Sequence, residues 1–209
     1  MALTTYALLK TTIANYLNRT DLTSYLGDFI TLTESRLNRE LRVREMVNTD
    51  TSITTVANTQ SYSLPSGFLE ASAVIYQSDP YRTLRFMANG DFYRQYNVTQ
   101  TSGLPTFFTI VGEKILLGVA PDSAKTLQID FYKTLTPLSE SNTTNTILTN
   151  YPELYLYGAL AESSPFLMQD ERLNTWAGLY KEALANANLS SQKGSITSSP
   201  MQMSATGIV

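Results

Sequence analysis

The sequence predicts an α+β protein: a four-helix body made by an N-terminal and a C-terminal helix pair, an inserted and mainly antiparallel β region, and an extended C-terminal arm. Three observations carry this. Apolar residues recur at three- and four-residue spacing near both ends of the chain, they switch to short alternating runs in the middle, and the last segment follows neither period. By position the body is 1–50 and 134–189, the β-rich insertion 51–133 and the arm 190–209.

Leu8, Leu9, Ile13, Tyr16 and Leu17 predict a first helix over Leu3–Leu17. The break NRTD follows, with Asp21 placed to cap the next helix. There Leu22, Tyr25, Leu26, Phe29, Ile30, Leu37 and Leu41 form one stripe, predicting a half-buried helix over Asp21–Arg44. The third helix, Asn150–Ser163, opens with NYPELYLYGALAE. Asn150 can cap it, Glu153 can complete a capping box, and Pro152 falls where helix N–H groups have no intrahelical acceptor. Almost nothing after Glu153 is charged, so this helix is apolar on nearly every side. A last helix is expected from Gln169 to Asn188.

Between the pairs, from about Thr51 to Lys133, come TSITTVA, QSYSLP, ASAVIYQ, YRTLRF, TFFTIVG, KILLGVA and TLQIDFYK, separated by turn signals such as Asp79-Pro80. Gly112-Glu113 between TFFTIV and KILLGV predicts a tight hairpin, and ANGDFYRQYN a short interrupting helix. The C-terminal stretch SSQKGSITSSPMQMSATGIV has little charge and no core-forming period, so it is not expected to fold alone. It carries Ile196, Met201, Met203, Ile208 and Val209, which can enter a groove on another subunit.

Composition narrows the function classes. The chain has 209 residues, a formal net charge of -3, no cysteine and no histidine. That removes thiol nucleophiles, disulfides, thiolate metal sites and imidazole bases, and with them the usual zinc sites and most catalytic triads. It also argues against a polycationic tail that coats nucleic acid, though not against a local basic patch. No secretion signal is read at the N-terminus, and no apolar run approaches the ~20 residues needed to cross a bilayer. There is no GxxxxGK[ST], GxGxxG or GxSxG pattern, and a Ser-based site would need lysine as its base. Asp170 and Glu171 stand together at a helix start, where the helix dipole accounts for them. A glycosidase built from Asp and Glu alone stays open as a competing reading. We therefore expect no catalytic residue, no cofactor and no metal, and a binding or structural role.

Arg36, Arg39 and Arg42 follow at three-residue spacing on the second helix, then Arg44. Glu34, Glu40 and Glu45 accompany them, and Arg36–Glu40 has supportive i,i+4 spacing. Two readings remain open: a solvated face with local ion pairs, or a face that docks on an acidic partner surface or borders a channel carrying DNA. The guanidinium fork suits the second.

At this point the chain resembles a family. YPELYLYGALAESSPFLMQDERLNTWAGLYKEALANAN is similar to the C-terminal part of the head-to-tail adaptor (portal-adaptor, neck) proteins of short-tailed bacteriophages, and DLTSYLGDFITLTESRLNRELRVREM to their N-terminal helix. SLPSGFLEASAVIY resembles their "L-P-x-D-F-L-E" segment, with Gly67 where a polar residue is commoner. GLPTFFTIVGEKILLGVAPDSAKTLQIDFYKTLTPLS resembles their hairpin, with Val119 before Ala120-Pro121. The pieces come in the same order and span roughly Ala2 to Leu189.

The resemblance implies a homo-oligomeric ring, usually of twelve subunits, seated below the portal protein. That ring joins capsid to tail and continues the DNA channel, with double-stranded DNA passing without sequence-specific binding. Its location would be the head-tail junction of the virion, assembled in the host cytoplasm and with no membrane partner. Tail or nozzle proteins would meet its β region. Carried over by position, Ser190–Val209 would be the portal-contacting arm. The greasy third helix could then bury one side in its own subunit and another against a neighbour, with Tyr151, Tyr155 and Tyr157 on the wetter side. Their alternative is a fully internal helix with satisfied hydroxyls. Rival functions are another neck or tail-tube subunit, and a glycan-binding or hydrolytic virion accessory protein.

Overall fold

A computed structural model describes residues 3–19, 21–96, 102–167 and 172–196. In chain order the elements are α1 (Tyr6–Leu17), α2 (Leu26–Glu40), β1 (Val47–Thr54), β2 (Ser61–Ser63), β3 (Phe68–Tyr76), β4 (Arg82–Thr83), β5 (Arg85–Phe86), α3 (Asn89–Gln95), β6 (Phe107–Val111), β7 (Lys114–Leu117), β8 (Thr126–Lys133), α4 (Thr146–Asn150), α5 (Pro152–Glu162) and α6 (Arg172–Ile196). Short 3-10 turns lie at Thr23–Tyr25, Arg44–Met46 and Ser164–Phe166. The α+β class holds. The chain divides into a helical unit, Met1–Glu45 with Leu135–Val209, and a β unit, Met46–Thr134.

In the helical unit α1 starts at Thr5, whose hydroxyl accepts from the Leu8 N–H at 3.4 Å, and stops at Asn18 in the left-handed region at φ 52°. It buries Tyr6, Leu9, Ile13 and Leu17. α2 departs from expectation at both ends. Asp21 caps nothing there; it pairs with Arg19 across the turn. The helix stops at Glu40 rather than Arg44, because Leu41 and Val43 are both fully buried. Two core residues at a spacing of two require extended backbone, and Leu41 adopts it with φ -88° and ψ 129°.

The C-terminal pair also differs in detail. The predicted Asn150 cap is replaced by Asn145, whose side chain accepts from the Leu148 N–H at 2.8 Å and starts α4. Asn150 is instead the last residue of α4, and α5 begins at Pro152 with no side-chain cap. α6 continues past Asn188 to Ile196, so positions 190–196 are helix and not part of an extended arm. Ser191 shows why the helix runs on: it is buried, and its hydroxyl accepts from the Arg44 N–H at 2.9 Å. α5 is the hub of this unit and packs against α1, α2, α4 and α6. Its buried residues are Leu154, Tyr155, Leu156, Gly158, Ala159 and Leu160. No α5 residue is fully exposed, so its all-round apolar character is taken up largely within its own chain. At Gly158 the packing leaves no room for a side chain: a Cβ would lie 2.4 Å from Thr33 Cγ2.

The β unit holds two four-stranded sheets, ordered β1-β8-β3-β4 and β2-β7-β6-β5. Among the described residues the strands pair antiparallel except β5 with β6, and a lone parallel bridge joins Gly103 and Pro121. Gly112 at φ 60° and Glu113 form the two-residue turn between β6 and β7. Val74 and Tyr76 of β3, Phe108 of β6, Ile115 and Leu117 of β7, and Leu127, Ile129 and Phe131 of β8 meet in one core, which Leu84 joins from between β4 and β5. The expected short helix is α3.

Candidate functional site

The helical unit is held by two polar clusters. In the first, Glu34 lies on the buried stripe of α2, in phase with Ile30 and Leu37, and is 5% exposed. Its Oε1 accepts from the Leu138 N–H at 2.8 Å and from the Tyr155 hydroxyl at 3.2 Å. Asn145 donates its side-chain N–H groups to that same hydroxyl at 2.6 Å and to the Thr136 carbonyl at 3.0 Å. One carboxylate thus ties α2, the segment after β8 and α5 together. Burial pushes the Glu34 carboxyl above its ordinary range, against the opposing pull of the two hydrogen bonds. Burial also raises the Tyr155 hydroxyl, so it stays a neutral donor.

In the second cluster Arg36 reaches Glu40 Oε1 and Glu162 Oε1, each at 3.2 Å, and its guanidinium lies 4.5 Å from the centre of the Tyr180 ring. Tyr180, fully buried, donates its hydroxyl to Glu40 Oε2 at 3.2 Å. Burial raises its hydroxyl as well. This cluster ties α2, α5 and α6 together.

The predicted arginine row is therefore divided. Arg36 is half-buried and engaged inside its own chain. Arg42 lies beyond the end of α2; its guanidinium donates to the Asn38 and Leu41 carbonyls, and its backbone N–H to Asn188 Oδ1 at 2.9 Å. Arg39 and Arg44 are exposed, Arg39 against Ser35 Oγ and Arg44 against Glu45. The four do not form one helical face, because Arg42 and Arg44 follow the helix end at Glu40.

The tyrosines divide too. Tyr155 is fully buried and takes the internal alternative, which removes it from any interface between subunits. Tyr151 and Tyr157 are half-buried and keep part of their surface outward. Of the arm residues, Ile196 ends α6, and Met201, Met203, Ile208 and Val209 lie outside the described residues, as do Asp170 and Glu171.

Sequence reasoning missed Glu34, reading it as a surface companion of the arginines. The signal was present: position 34 falls four after Ile30 and three before Leu37, on the apolar stripe. It also missed two exposed apolar groups. Leu8 and Tyr16 stand on α1 outside its buried residues, and Tyr25 lies tilted against Phe166 with ring centres 5.1 Å apart, both residues exposed. Phe166 also touches the buried Phe29 edge-on at 5.1 Å.

The arrangement is suited to rigid positioning and contact. The carboxylates of the two clusters are directed at hydrogen-bond donors inside the fold. Among the described residues no group of three or more acidic side chains is placed to hold a metal ion. None of the described helices is long and apolar enough to cross a membrane.

No curated protein matches the chain. The family model described as SU10 adaptor protein matches residues 4–204, which takes in both helical segments and the whole β unit. With that match covering nearly all of its length, the chain belongs to the SU10 adaptor protein family, a family of structural phage adaptors.

Proposed function

We propose that this phage adaptor forms a ring, usually of twelve copies, below the portal, and that it joins capsid to tail and continues the DNA channel. The family match over residues 4–204 is the observation that carries the reading. The build of the helical unit supports it, since a joint under the load of packaged DNA needs a body that does not deform. The Glu34 and Arg36 clusters lock every long helix but α1, and α1 packs on α5.

A closed ring needs two different patches per subunit that meet head to tail. The exposed Leu8 and Tyr16 on α1, and the Tyr25–Phe166 pair, are our candidates for these. Arg39, Arg44, Tyr151 and Tyr157 are candidates for partner contacts around them. Met201, Met203, Ile208 and Val209 are assigned to the portal. Methionine adapts to irregular grooves, and twelve tails anchored by one ring gain effective concentration that a single tail lacks. DNA passes by without sequence readout; a net charge of -3 gives little bulk attraction for phosphate. The role is structural and not catalytic.

Deleting the gene in its phage tests the reading. Free heads and separate, complete tails should accumulate together. Heads bearing normal necks but lacking only the distal tail would assign the chain to the tail tube instead.

A further inference from the structure

The short helix α3 starts with Asn89-Gly90, the one asparagine–glycine pair in the chain; every other asparagine is followed by a residue with a side chain. An asparagine amide can be attacked by the backbone nitrogen of the next residue. A following glycine offers that nitrogen with no Cβ to crowd the approach.

The surroundings of Asn89 supply what this reaction requires. Asn89 and Gly90 are both exposed, and a Cβ built on Gly90 would meet no atom within 4 Å, so water and a forming ring both have room. The first hydrogen bond of α3 runs from the Phe92 N–H to the Ala88 carbonyl at 2.9 Å. The Gly90 N–H therefore belongs to the helix-start groups without an intrahelical acceptor, and no bond of the helix ladder has to break to free it. Ala88 gives the helix no side-chain cap, and α3 has only seven residues, so turning Asn89 out of helical geometry costs little. On the other side of the reacting bond, the fully buried Thr109 of β6 donates its hydroxyl to Asn89 Oδ1. A donor on that oxygen draws electron density from Cγ and steadies the negative charge that attack places there.

We propose that Asn89 is a modification site at which the folded chain deamidates itself. The Gly90 nitrogen loses its proton to water and bonds to Asn89 Cγ. The Cγ–Nδ2 bond breaks, and the side-chain nitrogen takes up a proton from water and leaves as ammonia. The resulting succinimide ring adds one water at either of its carbonyls and opens to aspartate or isoaspartate. No oxidant, reductant or cofactor enters. Either product puts a new negative charge at the start of α3, two residues before Asp91, and the isoaspartyl form also adds a methylene to the backbone between β5 and α3. The site lies wholly in the β unit, so the proposal stands or falls independently of ring formation.

The test holds the purified full chain in mildly alkaline buffer at body temperature for weeks, with its fold checked by circular dichroism, then digests it and weighs the peptides. The peptide containing Asn89 should gain one mass unit and separate into aspartyl and isoaspartyl forms. Peptides containing Asn48 and Asn58, both exposed and both followed by threonine, should stay unchanged over the same time. Gly90→Ala should slow the gain about tenfold, because a Cβ crowds the attacking nitrogen, in a protein that melts like the wild type. Four results each overturn the proposal. They are no gain at Asn89 while a free peptide of residues 86–93 converts, aspartate formed without isoaspartate, an equal gain at Asn48 or Asn58, and an unchanged rate in Gly90→Ala.

Discussion

Replacing Glu34 by alanine removes the acceptor of two donors at once. The Leu138 N–H at 2.8 Å and the Tyr155 hydroxyl at 3.2 Å both end on Oε1, in a place closed to water. Tyr155 keeps a bond from Asn145, but its own proton has nowhere to go. Each stranded buried donor costs about 1–3 kcal/mol, so E34A should destabilise the helical unit by roughly 2–6 kcal/mol. For a protein of this size that lowers the melting temperature by about 5–20 °C, read as loss of helical circular dichroism. E34Q keeps a side-chain oxygen in the same place and carries no charge to bury, so it should melt close to the wild type at acid pH. The pH dependence has a definite sign. The folded state holds the Glu34 proton more tightly than the unfolded chain does, because burial raises its pKa above 4.5. Wild-type stability from this group is fully present below about pH 4.5 and falls as pH rises through the higher folded value. E34Q should therefore gain on the wild type over that window and then hold a constant lead. Wild-type stability in E34A, or a difference between E34Q and wild type that does not vary with pH, would refute the account of Glu34.

Other perturbations separate locked from free residues. R36A loses two carboxylate contacts and the stack on Tyr180 and should cost about 1–2 kcal/mol, whereas R39A should stay within ~0.5 kcal/mol in denaturant titrations. Equal effects of the two would mean that the Arg36 cluster contributes nothing. Gly158→Ala forces a Cβ against Thr33 and Tyr180 and should cost about 1–3 kcal/mol in the same assay; a neutral result would show that α2 and α6 give way at that point. A chain ending at Ile196 keeps all of α6 and should melt like the full chain, yet lose its hold on the portal in a sedimentation assay. Unimpaired attachment would move that contact into the helices.

The helices and the Gly112 hairpin were legible because each is written in local pattern: an apolar stripe, or a turn residue between alternating runs. Helix ends were not, because tertiary demands decided them. Leu37 and Leu41 continue a helical spacing, and only the equal burial of Val43 shows that the chain has already become extended. Asn145 and Asn150 are both capable caps, and the hydrogen bonds from Asn145 to Tyr155 and Thr136 select the first. Ser191 lies in the Ser- and Gly-rich stretch read as the arm, and its bond to Arg44 is a tertiary contact that local composition does not carry. Arg36–Glu40 was readable from spacing, but Glu162 and Tyr180 come from helices more than a hundred residues away. On α5 an apolar residue stands at nearly every position. Sequence alone gave no phase by which to tell the buried Tyr155 from the half-exposed Tyr151 and Tyr157.

In the proposed function this adaptor completes a ring on the portal. Native mass spectrometry of the purified chain, alone and mixed with the portal protein of its own phage, tests it most directly. The mixture should give a particle carrying one adaptor for each portal subunit, and the chain alone no assembly of that size. Tubes formed by the chain alone, or a mixture in which chain and portal stay separate, would contradict it.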